Sequence, residues 1–494
     1  MTPPSTTLQI ADLMQQSGVK FGTSGARGLA CDMRNAICYA YTLAFVQYLL
    51  ESEQIQTGDA IAIAGDFRPS TPRIMNAVAT AIEDAGCTSI HAGFIPTPAV
   101  ALFAMRRKLA SIMVTGSHIP DDRNGIKFYK PSGEILKEDE EALCGRSVNL
   151  PNALLEQDDT DWLIRLPAAT HVAEHEYVQR YFDFFPHQCL HGLHVGVYEH
   201  STVARDILGV VMEGLGARVT RLARSDHFIP VDTEAIRPED VALAKQWAAE
   251  KQLDCIISAD GDGDRPLVSD EHGQWLRGDV AGIFCARYLQ AKQVMTPVSS
   301  NSAVEKSAWF EQVVRTRIGS PFVIAAMNDA LAQGADSVVG YEANGGFLTA
   351  TNIIQHGKTL HALPTRDALI VPIALLLLAR QHQCPVSGLQ ALLPARFTSS
   401  GRIKDFPTEQ SQEKLQQLAD PEAASRAFAD TFGTIQSMDM TDGLRITFAN
   451  DEVVHLRGSG NAPELRCYNE AASEARALEM NAICLTLLAS WRSQ

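Results

Sequence analysis

The chain has 494 residues, of which 46% are hydrophobic and 20% are charged, a composition typical of globular proteins and not of disordered or fibrous ones. Its 58 acidic residues outnumber the 42 basic ones and give a formal net charge of −16. That charge repels nucleic acid and anionic membranes, so neither is expected as a partner. The length predicts roughly three or four domains of ~150 residues each.

The ten cysteines are scattered without a C-x-x-C pair, which predicts reduced thiols and a cytoplasmic protein. The amino terminus lacks the apolar core of a secretory signal. The longest apolar run, ALIVPIALLLLA from Ala368, is about twelve residues and contains a proline. It is too short to cross ~30 Å of hydrocarbon, and we interpret it as a buried helix.

Short apolar strands alternate with helical patterns in the first third of the chain. The strand AIAIAGD, from Ala60, is followed by the helical TPRIMNAVATAIEDAG, by the strand TSIHAGF and by the strand that opens ASIMVTGS. This alternation predicts βαβ units, with functional residues in loops at the carboxyl ends of strands.

The first candidate site lies in VTGSHIPDDRNGIKFY. Ser117 directly follows a strand, a position that suits a nucleophile or a phosphate carrier. His118 is adjacent, and Lys127 follows on the next strand after a turn predicted at Asn124-Gly125. The same Asn-Gly pair also fits a plain hairpin with a polar tip, which is the alternative interpretation.

The α/β pattern restarts with the strand LHVGVYEH, a helix in ARDILGVVMEGLGA and the strand LDCIISAD. It leads into ADGDGDRP, where Asp260, Asp262 and Asp264 alternate with glycines. Three carboxylates at a strand end can converge on a small cation, and an incomplete oxygen cage favours Mg²⁺. An EF-hand is excluded because Arg265 stands where that loop needs glycine and because a strand precedes it; a solvated acidic turn is the alternative.

Three further segments carry polar residues beside glycines. GYEANGGF places Glu342 and Asn344 after the strand DSVV, where they could bind sugar hydroxyls or form a plain turn. GLRITFANDEVVHLRGS predicts an antiparallel hairpin. It leads into RGSGNAPELR, which is either a phosphate cradle or a surface loop. At the other end of the chain, KFGTSGARG places Arg27 near the amino terminus.

In this order, the five segments resemble the α-D-phosphohexomutases, the phosphomannomutase and phosphoglucomutase superfamily. The resemblance implies an α/β fold with four domains around a central cleft, three α/β domains with mixed sheets and a smaller α+β domain. We expect these domains at residues 1–172, 173–278, 279–392 and 393–494. They would carry, in turn, the phosphoserine, metal-binding, sugar-binding and phosphate-binding loops.

The resemblance also implies roles for residues. Ser117 would be the phosphoserine and, with Asp260, Asp262 and Asp264, a ligand of Mg²⁺. The other catalytic residues around the transferring group would be His118, Lys127, Arg27 and Arg265. Glu342 and Asn344 would bind the sugar. The phosphate that does not react would be bound by Arg457, Ser459, Gly460, Asn461 and Arg466.

The implied activity is that of an intramolecular phosphotransferase acting in the cytoplasm. It would move a phosphoryl group between O6 and O1 of a hexose phosphate through a phosphoserine and a hexose 1,6-bisphosphate, with mannose phosphate as the favoured substrate. The alternatives are a phosphoglucomutase, a phosphoglucosamine mutase, a hydrolase that uses the same serine, and a non-catalytic sugar-phosphate sensor.

The sequence departs from the family pattern in three loops. The serine loop has Gly116 and Ile119 where Ala-Ser-His-Asn-Pro is usual. The sugar loop has Asn344 for a common serine and Gly346 where many relatives place a histidine credited with proton transfer. In the phosphate loop, Ala462 cannot supply a side-chain hydrogen bond.

Overall fold

The structure is a computed structural model that describes residues 4–22, 25–458 and 463–492, the last without its side chain. In these ranges the strands form six sheets, four of them with four strands or more. Each of these four sheets lies inside one of the four predicted ranges. The chain therefore has the expected α/β architecture with mixed sheets, while the domain boundaries stay predictions.

The first large sheet has the strand order β2-β3-β7-β6-β4-β5, with β8 paired to β7, and β1 and β9 form a separate pair. The strands are β1 Ser5–Gln9, β2 Lys20–Phe21, β3 Gly25–Leu29, β4 Ala60–Gly65, β5 Thr88–Gly93, β6 Ala110–Val114, β7 Arg123–Lys130, β8 Gly133–Glu134 and β9 Ser147–Pro151. The helices are α1 Ile10–Ser17, α2 Asn35–Glu51, α3 Thr71–Asp84, α4 Thr97–Arg106, α5 Lys137–Cys144 and α6 Asn152–Glu156.

Strand β4 shows why this sheet is covered on both faces. Side chains alternate between the two faces of a strand. Ile61 and Ile63 pack in one apolar core with α2 and α3, whereas Ala62 and Ala64 pack in another with α4. β4 pairs in parallel with β5 and β6, as the βαβ pattern predicts, but β7 returns antiparallel to β6.

The turn predicted at Asn124-Gly125 is wrong. Strand β7 already begins at Arg123, so the loop from β6 spans residues 115–122. Gly125 lies opposite Arg27 in the sheet, and a Cβ on it would lie 2.8 Å from the Thr115 carbonyl oxygen and 2.9 Å from that of Ala26. The glycine therefore permits a close approach of neighbouring strands, not a turn.

The second sheet has the order β11-β10-β12-β13, and only β13 is antiparallel to its neighbour. The elements are α7 Val172–Phe184, β10 His194–His200, α8 Arg205–Gly214, β11 Arg218–Arg224, α9 Pro238–Lys251, β12 Cys255–Ala259 and β13 Pro266–Val268. Helix α7 buries Tyr177 and Tyr181 in the same core as α4, and this packing joins the second unit to the first.

The third sheet has the order β15-β14-β16-β17, again with one antiparallel return strand, β17. The elements are α10 Gly278–Tyr288, β14 Gln293–Pro297, α11 Ala303–Lys306, β15 Gln312–Thr316, α12 Ser320–Ala332, β16 Val338–Tyr341, β17 Phe347–Thr349, the hairpin β18 Ile353–Gln355 and β19 Lys358–Leu360, α13 Ile370–Gln381 and a 3₁₀ helix at Val386–Leu392. Helix α13 contains most of the long apolar run and is buried. Among the described helices, none is long and apolar enough to cross a membrane.

The C-terminal sheet is entirely antiparallel, with the order β20-β24-β23-β22-β21. The elements are β20 Phe397–Lys404, α14 Thr408–Leu418, α15 Pro421–Phe432, β21 Ile435–Asp439, β22 Leu444–Phe448, β23 Val453–Gly458, β24 Glu464–Ala471 and α16 Glu474–Arg492. The pairing of β22 with β23 confirms the predicted hairpin, and helix α16 follows the last strand as expected.

A shared topology positions the site. The orders β5-β4-β6-β7, β11-β10-β12-β13 and β15-β14-β16-β17 are equivalent, and in each the last strand is antiparallel. The segments that join the last two strands are residues 115–122, 260–265 and 342–346. These segments contain the serine loop, the acidic loop and the sugar loop predicted from the sequence.

Candidate active site

The serine loop and the acidic loop meet directly. Ser117 is fully buried, and its hydroxyl donates a hydrogen bond of 2.5 Å to Asp260 Oδ2, which is 143 residues away in sequence. Its backbone has φ +56°, a left-handed conformation that costs a non-glycine residue roughly 1–2 kcal/mol. Thr115 stabilises it, because the Thr115 hydroxyl accepts the Ser117 N–H at 2.7 Å. The loop thus presents the hydroxyl to the aspartates at an energetic cost.

The three aspartates lie together at the end of β12. One carboxylate oxygen from each lies within 4.8 Å of the others, and all three residues are fully buried. The N–H groups of Asp264 and Arg265 donate to Asp260 Oδ1 at 3.2 and 3.1 Å. The Thr97 hydroxyl donates to Asp262 Oδ2 at 2.6 Å. Backbone donors of the acidic loop and a side-chain donor of helix α4 in the first unit therefore fix the carboxylates in position.

The aspartates of the triad differ in their electrostatic surroundings. Burial raises the pKa of Asp260 well above its usual range, and the charges of Asp262 and Asp264 raise it further. Burial also raises the pKa of Asp262, but Lys127, the Thr97 hydroxyl and the charge of Arg366 together lower it by more, so the net shift is downward. The Lys127 ammonium is buried and donates to Asp262 Oδ2 at 2.6 Å and to Asp264 Oδ2 at 2.7 Å.

The triad fits a divalent cation. Asp262 Oδ1 and Asp264 Oδ1 are buried and have no hydrogen-bond partner within the described part of the chain. Buried carboxylate oxygens that accept no hydrogen bond are costly unless a cation binds them, and carboxylate oxygens are the ligands that Mg²⁺ and Ca²⁺ prefer. The donor set therefore supports the metal site expected from the sequence.

His118 and Arg265 form a pair beside Ser117. The Arg265 Nη1 group donates to His118 Nδ1 at 2.8 Å. Burial, followed by the charge of Arg265, lowers the pKa of His118 to about 3, so this imidazole is neutral at physiological pH. Arg265 remains charged, because the charges of Asp260 and Asp264 outweigh its burial and raise its pKa.

Arg27 lies on β3, next to the strand that carries Lys127. Arg27 lies opposite Gly125 of β7, two residues before Lys127, so the two cationic side chains are on the same face of the first sheet. Burial and the charge of Arg265 lower the pKa of Arg27 to about 10. Arg27, Lys127 and Arg265 thus concentrate positive charge near Ser117 in an otherwise acidic protein.

The sugar loop lies at the end of β16, and both of its candidate residues are buried. The Glu342 carboxylate accepts a hydrogen bond from Arg366 Nη1 at 3.4 Å. Asn344 Oδ1 accepts the Gly346 N–H at 2.9 Å, and the Asn344 carbonyl accepts the Thr233 hydroxyl at 2.7 Å. The amide oxygen of Asn344 therefore stabilises the loop itself.

The predicted phosphate-binding residues are on the C-terminal sheet. Arg457 on β23 and Arg466 on β24 lie opposite each other in the strand register. Arg457 Nε donates to Asp442 Oδ2 at 2.9 Å, and the same oxygen accepts the Ile318 N–H of the third unit at 2.9 Å. Ser459, Gly460 and Asn461 lie outside the described residues.

Sequence reasoning missed Arg68. Its buried guanidinium donates to the Ser117 carbonyl at 2.9 Å and to the Arg123 carbonyl at 3.1 Å, and it also donates to the Ile119 carbonyl. A Cβ on Gly116 would lie 2.5 Å from Arg68 Nε, so the unusual glycine in the serine loop makes room for this arginine. The segment GDFR directly after β4 was the available signal, since loops at strand ends carry function.

Comparisons with known proteins agree with this geometry. Residues 18–149 match the family model for phosphoglucomutase/phosphomannomutase, alpha/beta/alpha domain I, and residues 277–397 match domain III. A phosphomannomutase of Sinorhizobium fredii is 44% identical over 92% of this chain and 95% of its own, and one of Salmonella muenchen is 43% identical over 94% of each.

The fold agrees as well. The crystal structure of a phosphoglucomutase/phosphomannomutase family protein from Burkholderia thailandensis superposes with a TM-score of 0.71, at 20% identity, over 95% of this chain and 97% of that one. The two family matches and the two close relatives, which span nearly their whole length, lead to one assignment. The chain belongs to the phosphoglucomutase/phosphomannomutase family of the α-D-phosphohexomutase superfamily, a family of intramolecular phosphotransferases.

Proposed function

We propose that the chain is a Mg²⁺-dependent phosphomannomutase that interconverts mannose 6-phosphate and mannose 1-phosphate in the cytoplasm. It would act through a phosphoserine at Ser117 and a hexose 1,6-bisphosphate. The observation that carries the proposal is the 2.5 Å contact between the Ser117 hydroxyl and Asp260 inside a buried carboxylate triad. The choice of mannose is supported by the relatives at 44% and 43% identity, both named phosphomannomutases.

The proposed reaction has two balanced halves. In the first, the O1 hydroxyl of the hexose 6-phosphate attacks the phosphorus on Ser117; the O1–P bond forms, the P–Oγ bond breaks and the O1 proton is transferred to the departing Ser117 Oγ. The bisphosphate then reorients in the cleft. In the second half, the Ser117 hydroxyl attacks the phosphorus on O6; the Oγ–P bond forms, the P–O6 bond breaks and the Oγ proton is transferred to the departing O6.

The chain's own residues mainly position groups and neutralise charge, which is what phosphoryl transfer requires. Arg27, Lys127 and Arg265 would bind the oxygens of the transferring phosphoryl group. A cation bound by Ser117 and the aspartates would neutralise part of the charge of about −1.5 to −2 on a phosphoserine. Arg457 and Arg466, together with the segment 459–461, would bind the phosphate at the other end, and Glu342 would accept hydrogen bonds from sugar hydroxyls.

A substrate panel tests the proposal. We expect purified enzyme with Mg²⁺ to convert mannose 6-phosphate with a higher kcat/KM than glucose 6-phosphate or glucosamine 6-phosphate, as measured by phosphorus NMR of the 1-phosphate product. A higher kcat/KM for one of the other two sugar phosphates would show that mannose 6-phosphate is not the preferred substrate. No turnover of any of the three would overturn the proposal.

Intact-mass spectrometry tests the phosphoserine. We expect a phosphorylated species in the native enzyme that is absent from Ser117→Ala. Ser111→Ala is the matched control, since Ser111 is a buried serine on β6 of the same sheet, and it should keep the phosphorylated species. If Arg457→Ala left turnover intact, a hydrolase would be favoured over a mutase, because a hydrolase has no need to hold a reversed bisphosphate.

A further inference from the structure

Arg366 contacts all three α/β units. It lies in the segment between β19 and α13 and is 2% exposed. Its Nε and Nη2 atoms lie 3.0 and 2.9 Å from Asp264 Oδ2. Its Nη1 donates to Glu342 at 3.4 Å, and its Nη2 lies 3.8 Å from the Glu134 carboxylate. One guanidinium therefore faces an aspartate of the metal triad, the candidate sugar carboxylate and a carboxylate of the first unit.

These contacts need a positive charge. Glu134, Asp264 and Glu342 are all buried, and three buried carboxylates repel one another unless a cation lies among them. Burial lowers the pKa of an arginine, but here the charges of Asp264, Glu134 and Glu342 outweigh burial and raise the pKa of Arg366. An arginine fork can donate to several carboxylates at once, whereas a lysine is a single point charge.

The path of the Arg366 side chain depends on Gly346. A Cβ on Gly346 would lie 2.5 Å from Arg366 Cδ and 2.7 Å from its Cγ. Those atoms are in the middle of a side chain whose guanidinium is fixed by its partners, so it cannot easily move aside. A side chain at position 346 would therefore compete for the space that the Arg366 stem fills.

Building on the proposed function, we propose that Arg366 is a positioning residue, which fixes Glu342 of the sugar loop relative to Asp264 of the metal triad in place of a side chain at position 346. It acts on the substrate through Glu342, and it sets the distance between the sugar and the phosphoryl group. In this chain, residues 346 and 366 form a matched pair, so a change at one is tolerated only with a change at the other.

A double-mutant cycle tests this coupling. We expect Arg366→Met to raise the KM for mannose 6-phosphate by about tenfold or more, because the position of Glu342 is lost. In a Glu342→Gln background the same change should raise KM by less than about threefold, since the partner through which Arg366 acts is already altered. Equal effects of Arg366→Met in both backgrounds, or an unchanged KM, would refute the proposal.

Conservative and matched control variants separate positioning from folding. Arg366→Lys keeps the positive charge, so its KM should lie between those of the native enzyme and Arg366→Met. It also replaces Arg366→Met in the test if that variant does not fold. If the two variants had equally high KM values, charge-based positioning would be refuted. Arg180→Met is the control, since Arg180 is 3% exposed and contacts Asp367 and the His361 carbonyl. This variant should lower thermal stability without raising KM.

A second cycle does not depend on turnover. Gly346→Ala should weaken Mg²⁺ binding, measured by calorimetry, by about fivefold or more, because the displaced arginine shifts Asp264. In an Arg366→Ala background the same change should alter Mg²⁺ affinity by less than twofold. Additive effects would overturn the 346–366 pairing. If the enzyme turned over no hexose phosphate but this coupling held, the proposed function would fail and the pairing would survive.

Discussion

Gly261 of the acidic loop packs directly against Ser117. A Cβ on Gly261 would lie 2.6 Å from the Ser117 carbonyl oxygen and 2.9 Å from the Phe228 ring. This is backbone-to-backbone packing between loops of the first and second units, and it leaves no room for a methyl group. The glycine in this position allows the serine hydroxyl to reach the aspartates.

Gly261→Ala should therefore separate the two loops. A displacement of about 1 Å at a reacting group can cost on the order of a hundredfold in rate, and we expect a fall in kcat of this size in a steady-state mutase assay. Gly145→Ala is the control, because a Cβ there meets only ordinary contacts of 3.6 and 3.9 Å. A Gly261→Ala enzyme with native kcat would contradict the close packing.

Lys127→Met should destabilise the metal-free protein. Removing one partner of a buried ion pair costs about 3–5 kcal/mol, and Lys127 pairs with both Asp262 and Asp264. We expect a lower Tm by scanning fluorimetry, partly restored by Mg²⁺. The exposed pair between Lys292 and Asp336 supplies the control Lys292→Met, which should change little. Equal stability of Lys127→Met and native protein without Mg²⁺ would disprove the ion-pair role.

The stability of the protein should fall below about pH 6.5. Burial lowers the pKa of His200 and of His455 to about 4, against ~6.5 in an unfolded chain. Between these values the unfolded state binds a proton that the folded state excludes. Each such histidine thus contributes stability that is complete above pH ~6.5 and is lost as the pH falls toward 4, at up to ~1.4 kcal/mol per pH unit.

His200→Gln tests this pH dependence. His200 Nε2 donates to the Ala259 carbonyl at 2.8 Å, just before the triad, and a glutamine amide can keep that donor without titrating. We expect the drop in Tm between pH 7.5 and pH 5.5 to be smaller in this variant. His171→Gln should keep the native pH dependence, because that side chain is 89% exposed. If His200→Gln kept the full drop, the assignment would be wrong.

Asp442→Asn should weaken the binding of the substrate phosphate. Its carboxylate positions Arg457 and accepts the Ile318 N–H, so it links the C-terminal sheet to the third unit. A hydrogen bond to a charged group is worth ~1.5–3 kcal/mol, so losing the carboxylate that positions Arg457 should raise KM about tenfold or more. Asp336→Asn, at an exposed pair, is the control. An unchanged KM would show that Arg457 needs no such support.

The sequence predicted the local features well. Strands β4, β5, β6, β10 and β12 and helices α3, α8 and α13 lie where the apolar patterns place them, since each pattern depends only on neighbouring residues. The meeting of Ser117 with Asp260 was also predicted, from the resemblance, and the structure brings them to 2.5 Å. The roles of the site residues remain predictions until they are assayed.

What the sequence could not show was long-range. A pattern of hydrophobicity marks Arg68 and Arg366 as surface charges, but both are buried and their partners are distant in sequence; Asp264, for example, lies 102 residues before Arg366. The turn prediction at Asn124-Gly125 failed because the same dipeptide occurs in tight turns and in strands. In this strand the glycine is needed for close packing of the neighbouring strands. The three units share a strand order, but this shared topology is not visible as a sequence repeat. A strand order constrains the pattern of hydrophobic residues and not their identity.

Lys127 has one more consequence if the proposed Mg²⁺ site is correct. Its ammonium lies between two of the three aspartates, so the chain's own cation balances part of the negative charge of the triad. Under the proposed function, magnesium depletion would therefore stop turnover while the protein stays folded, and adding Mg²⁺ back would restore turnover without refolding.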